Sequence, residues 1–190
     1  METSLLKTAG FVIGPGSLLF IVAAFLPYSK VFVEHDPEKR MIIITEMKRM
    51  WNIANIFFSL GAIITVIGLT LIMLGFKEII NTRSLYLNIF LLSVGAVLWS
   101  WVVAERIISP EKFANGTNTP YLFAIYSILT QVGLFLFGFF LLKTTFVNWV
   151  GWMFMLGSGT LFILMVIFKD MPPVVYYLLT LTLSVVLIIG

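Results

Sequence analysis

The chain has 190 residues, 60% of them hydrophobic and only 11% charged, with a formal net charge of +3. Soluble domains run at about 45–50% apolar and about 25% charged, and a chain this short has too much surface to hide such an excess in a water-soluble core. The composition excludes an ordinary cytosolic enzyme and a disordered tail. With only 12 basic residues against 9 acidic ones, it also excludes a phosphate-tracking nucleic-acid surface.

The charges are segregated along the chain. Between them lie uncharged runs that predict six transmembrane helices, over about 8–27, 52–76, 84–104, 120–142, 145–168 and 172–190. Each has about the 20 residues needed to cross a hydrocarbon core about 30 Å thick. Residues 1–190 therefore read as a single transmembrane domain, an all-α integral membrane protein built as a six-helix bundle. Runs such as Leu134–Leu142 and Val185–Ile189 are apolar on every face, which rejects a β-barrel of alternating strands. No repeat relates the two halves of the chain.

The first run begins after Lys7 and contains Gly14-Pro15-Gly16. It is too long for a signal peptide and lacks a small-x-small cleavage site before Pro27, so it reads as an uncleaved span. Proline removes a helix N–H and clashes one turn back, and the flanking glycines soften the backbone. Gly14, Pro15 and Gly16 are thus a candidate helix break whose freed backbone groups line a site, as in some transporters. The plainer reading is a kink, with Gly10 and Gly14 making a close helix contact.

The longest loop, about Tyr28–Arg49, supports two readings. Lys30–His35 and Arg40–Met47 are rich in Val, Ile and Phe around the turn-like Asp36-Pro37-Glu38-Lys39, which predicts a small β-hairpin. The alternative is an interfacial helix capped by Asp36 with Pro37 in its first turn. The run Met41-Ile42-Ile43-Ile44 favours the hairpin. Further on, Ser109-Pro110-Glu111 predicts a short interfacial helix, while Thr119-Pro120 and Asp170 before Pro172-Pro173 mark the starts of the fourth and sixth spans. The five tryptophans, Trp51, Trp99, Trp101, Trp149 and Trp152, lie near span ends and read as an aromatic belt.

If the termini share a side, that side holds Lys7, Lys77, Arg83 and Lys143. The other holds Lys30, Lys39, Arg40, Lys48, Arg49, Arg106, Lys112 and Lys169, a count of 4 against 8. Setting aside Lys39 and Arg40, which sit mid-loop in the possible hairpin among Glu34, Asp36 and Glu38, leaves 4 against 6, and no orientation follows. Asn115-Gly116-Thr117 matches a glycosylation acceptor, a three-residue pattern common by chance.

No ionisable residue sits at a predicted span centre, which removes proton relays, Schiff-base lysines and voltage sensors. The sole histidine, His35, lies in the long loop and reads as solvated. Gly157-Ser158-Gly159 looks like a serine flanked for nucleophilic attack, but no span carries a base to activate it, so it reads as a small-residue helix contact. No catalytic group, metal site or cofactor is expected. Neutral polarity remains: Asn55 and Ser59 in span two, Asn88 in span three and Gln131 in span four form a candidate polar pocket for a lipid head or a small neutral solute. Glu105-Arg106 and Lys169-Asp170 close the loop side as interfacial anchors or as a headgroup-binding ring. The chain is thus expected to be a non-enzymatic accessory or scaffold subunit in the plasma (inner) membrane of a prokaryote. Its expected partners are the lipid bilayer and other membrane subunits or a second copy. The alternative is a carrier for a small neutral or lipidic molecule.

Overall fold

Backbone N–H and C=O groups cannot go unpaired in apolar surroundings, so long uncharged runs close their hydrogen bonds within the segment as helix. The computed structural model describes residues 3–118, 120–144, 148–167 and 173–189, and among these there is helix but no strand. In chain order come α1 (Thr3–Ala24), a 3-10 turn (Pro27–Phe32), α2 (Pro37–Glu46), α3 (Lys48–Gly75) and α4 (Thr82–Ile108). Then follow α5 (Pro110–Ala114), α6 (Pro120–Leu142), α7 (Asn148–Ile167) and α8 (Val174–Ile189). The helices α1, α3, α4 and α6 are long and apolar enough to cross a membrane, and the apolar stretches Asn148–Leu164 and Val174–Ile189 are shorter.

The six apolar helices close a ring. Neighbours pack in the order α1, α3, α4, α6, α7, α8, and α8 returns to α1. Among the described residues the α7–α8 seam is the thinnest and the α1–α3 seam the most extensive. Glycines set the closest approaches. A Cβ on Gly61 would lie 2.8 Å from the Gly16 carbonyl oxygen, and a Cβ on Gly138 would lie 2.7 Å from that of Gly151. Small residues let helix backbones approach where no hydrophobic force draws them together.

The interior is filled toward the end where α1 enters the 3-10 turn. Phe20 of α1 stacks on Tyr177 of α8, with centroids 3.6 Å apart. It also meets Phe58 of α3 at 4.6 Å and Trp99 of α4 at 5.8 Å. Helices α1 and α4 are not neighbours in the ring, so the Phe20–Trp99 contact crosses its middle.

The long loop corrects the hairpin expectation. It folds as the 3-10 turn followed by α2. The Asp36 side chain accepts from Glu38 N at 2.9 Å, and Pro37 takes the first helical turn, where a missing N–H is harmless. Arg40 and Ile44 are the buried residues of α2, one helical repeat apart. The β-branched run therefore supplies a helix face, with tertiary packing overriding strand propensity. Ser109-Pro110 opens a short helix as expected, α5. The expected caps Thr119 and Asp170 lie outside the described residues.

Helix α1 does not break at Gly14-Pro15-Gly16; helical geometry continues from Thr3 to Ala24 with Pro15 inside. The glycines serve packing on two sides. A Cβ on Gly14 would meet Ser184 Oγ of α8 at 2.8 Å, and one on Gly16 would meet Thr65 N of α3 at 2.8 Å. With both neighbours held that close, the helix tolerates the proline.

Candidate functional site

The polar residues of the spans divide among separate helix seams. Ser59 of α3 donates to Ser100 of α4 at 2.8 Å, and Ser100 donates onward to Ala96 O. Asn55, fully buried, donates to Trp51 O of its own helix at 2.8 Å. Asn88 works at the α4–α6 seam. With its amide oriented to satisfy both ends, it donates to Gly133 O at 2.8 Å and accepts from Phe137 N at 3.2 Å. Gln131 is buried in α6, and α4 stands between α6 and α3 in the ring. Asn55 and Ser59 thus belong to the α3 side and Gln131 to the α6 side, with Asn88 between them, its side-chain amide also 3.3 Å from Met73 Sδ of α3. The α1–α8 seam adds a Ser17–Thr180 hydroxyl pair at 2.8 Å and a bond from Ser184 Oγ to Gly10 O at 2.7 Å. Ser158, the serine between glycines, donates to Met155 O in its own helix. His35 is exposed.

A second cluster is denser in chemistry. At the end of the ring carrying the long loop, the 3-10 turn, α2 and α5 pack together as a cap. Beneath it lie two buried guanidinium groups, Arg40 with 7% of its surface exposed and Arg106 with 2%. Arg106 occupies the last turn of α4, where the helix dipole favours a cation. Its guanidinium carbon is 5.0 Å from the Phe113 ring centroid, 5.2 Å from that of Trp99 and 5.7 Å from that of Phe32. Arg40 reaches the same Phe113 ring at 5.6 Å, and its Nε donates to Glu34 O at 2.6 Å. Each desolvated cation–π contact of this kind stabilises by roughly 2 kcal/mol. That offsets part of the cost of taking a cation out of water.

The aromatic walls are fixed by hydrogen bonds. Trp51 Nε1 donates to Arg106 O at 3.1 Å, and Trp99 Nε1 donates to Phe58 O at 3.3 Å. Tyr28 Oη donates to Ala23 O at 2.8 Å. Burial pushes the Tyr28 hydroxyl well above the usual tyrosine range, with the Arg106 charge opposing the shift. Phe113, the anchor of α5, is fully buried and also meets Trp51 at 5.2 Å and Phe32 at 5.9 Å.

The carboxylates around the cap have their own roles. Glu34 Oε1 accepts from the backbone amides of His35 at 2.9 Å and Asp36 at 3.0 Å. Those bonds, led by the Asp36 amide, hold its carboxyl below the usual range. Glu105 forms an ion pair with Lys112 of α5 at 3.5 Å.

The sequence reading placed Arg106 among interfacial anchors and Arg40 mid-loop in the expected hairpin, and it missed their shared burial. It also assigned all five tryptophans to an interfacial belt. Trp101, Trp149 and Trp152 are exposed on the bundle surface, whereas Trp51 and Trp99 are core. The available signal was the helical spacing of Arg40 and Ile44 behind an Asp-Pro cap. Comparison of the chain with protein-family models, curated proteins and solved structures finds no match.

Proposed function

We propose that this chain is an integral membrane protein crossing the bilayer six times, acting as a non-catalytic accessory or scaffold subunit. Its proposed location is the plasma (inner) membrane of a prokaryote. Six crossings are supported by the ring order, in which α7 and α8 complete the circle formed by α1, α3, α4 and α6. The 20 residues of α7 and 16 of α8 reach about 30 and 24 Å at 1.5 Å per residue. The observation that carries the functional reading is Phe20, whose ring meets residues of three other helices and fills the middle of the bundle. A filled centre suits a protein whose work is done at its surfaces. Deletion of the gene followed by quantitative profiling of the membrane tests this. At least one other membrane protein should fall in abundance. A strictly monomeric purified protein whose loss changes no other protein's level sinks the reading.

A carrier function is the second reading. It is favoured by Asn55 Oδ1 and Thr130 Oγ1, which are buried with no hydrogen-bond partner among the described residues; such groups are costly unless something satisfies them. A folded Asn55→Leu/Gln131→Leu double variant that retains liposome transport would refute it.

A further inference from the structure

We propose that the outward face of α2 is a docking groove for a basic amphipathic helix of another membrane protein. This inference deepens the accessory-subunit reading above and rests on it.

Helix α2 has two opposite faces. Arg40 and Ile44 turn inward and are buried. The outward side borders a groove of about 420 Å³, whose described lining is Glu38, Met41, Ile42, Thr45 and Glu46. At 3.6 residues per turn these five fall on one side of the helix, away from Arg40 and Ile44. Ile42 is 54% exposed, and the Thr45 hydroxyl donates to Met41 O at 2.8 Å. That hydroxyl is turned onto its own helix, so the middle of the strip is apolar. A single exposed isoleucine is ordinary, but this one lies in a concave strip with a carboxylate at each end.

Glu38 and Glu46 stand about 12 Å apart along the helix, at 1.5 Å per residue. Both are exposed, and among the described residues neither carboxylate is in an ion pair, whereas Glu105 pairs with Lys112. Lys39, Lys48 and Arg49 are exposed too, yet none of them lines the groove.

These charges select the occupant. An anionic leaflet attracts Lys and Arg and repels carboxylates, and helices that lie on membranes carry cations beside their apolar face. A second copy docked by two-fold symmetry would set this face against itself, glutamates against glutamates. A helix with an apolar stripe and Lys or Arg about eight positions apart matches both the strip and its ends.

The probes are two short synthetic helical peptides with the same leucine face, one flanked by lysines eight positions apart and the other by glutamates. Binding to the full chain in phosphatidylcholine nanodiscs is followed by fluorescence anisotropy. At low salt the lysine peptide should bind about tenfold more tightly, the effect of two exposed charge pairs, and the gap should close near 1 M salt, where the Debye length is about 3 Å. The folded Glu38→Lys/Glu46→Lys variant should invert the preference. Ile42→Ser should weaken both peptides about fivefold, and it reads the groove even if the charge reversal unfolds α2. Equal affinity for the two peptides, equal uptake of the lysine peptide by empty nanodiscs, or a preference that survives the charge reversal overturns the proposal. The chain has no cysteine of its own, so an Ile42→Cys protein that oxidises to a disulfide dimer in membranes would show a second copy in the groove and overturn it as well. Failure of the accessory reading shows separately, as unchanged levels of every other membrane protein on gene deletion while peptide binding persists.

Discussion

Gly138 and Gly159 make a matched pair of probes for the way this bundle is held together. A Cβ added at Gly138 of α6 would lie 2.7 Å from Gly151 O and 2.9 Å from Met155 N of α7. Both atoms are backbone, so neither can rotate away. Relief to ordinary contact near 3.4 Å requires the helices to separate by about 0.7 Å along that line. Overpacking of this kind costs about 1–3 kcal/mol. Replacing a helix-interior glycine by alanine returns about 0.5–1 kcal/mol of backbone entropy and propensity. The net prediction for Gly138→Ala is a loss of about 1–2 kcal/mol. Gly159 of α7 has nothing within 4 Å of its added Cβ, so Gly159→Ala keeps the propensity gain alone and should be neutral or slightly stabilising. Unfolding in mixed micelles by titrated dodecyl sulfate, followed by helical circular dichroism, measures both. Equal effects of the two substitutions, or a stabilised Gly138→Ala, would refute the reasoning that backbone proximity sets the α6–α7 seam.

Two further predictions concern the cap. The Glu34 carboxyl is held below its ordinary range by backbone amides, so its bonds support the folded state above the unfolded carboxylate range. That support is lost as pH falls through the lower folded value; Glu34→Gln should therefore lower Tm slightly in the neutral region and match the unsubstituted protein at the acid end, which flattens the acid limb of Tm against pH. Asp36→Ala removes the cap on Glu38 N and should destabilise α2 by about 1 kcal/mol, seen as faster amide exchange over Pro37–Glu46 with the core of α3 unchanged.

The apolar helices were readable because charge is excluded from hydrocarbon, so the gaps between charges mark helices directly, four of them long and apolar enough to cross a membrane. The short α5 was readable too, since a serine before a proline before a glutamate is a local device. The loop went astray because Met41-Ile42-Ile43-Ile44 carries strand propensity, whereas what decides its fold is Arg40 and Ile44 packing inward from one helix face. The buried arginines were hidden for a different reason. Their environment is assembled from Phe32, Trp99 and Phe113, residues on three separate elements that no spacing rule brings together. Trp51 and Trp99 likewise read as belt residues until the carbonyls that accept from their indoles, Arg106 O and Phe58 O, are in place.

The central claim is that six helices alternate across a bilayer with the arginine-bearing cap on one side. The chain contains no cysteine, so a single introduced cysteine is a unique reporter for a membrane-impermeant maleimide on sealed vesicles of known orientation. Reporters at Lys7, Lys77 and Lys143 should label from one side, and reporters at Lys39, Thr117 and Pro173 from the other. A Pro173 reporter that labels together with Lys143 would contradict the account, because α7 would then not cross.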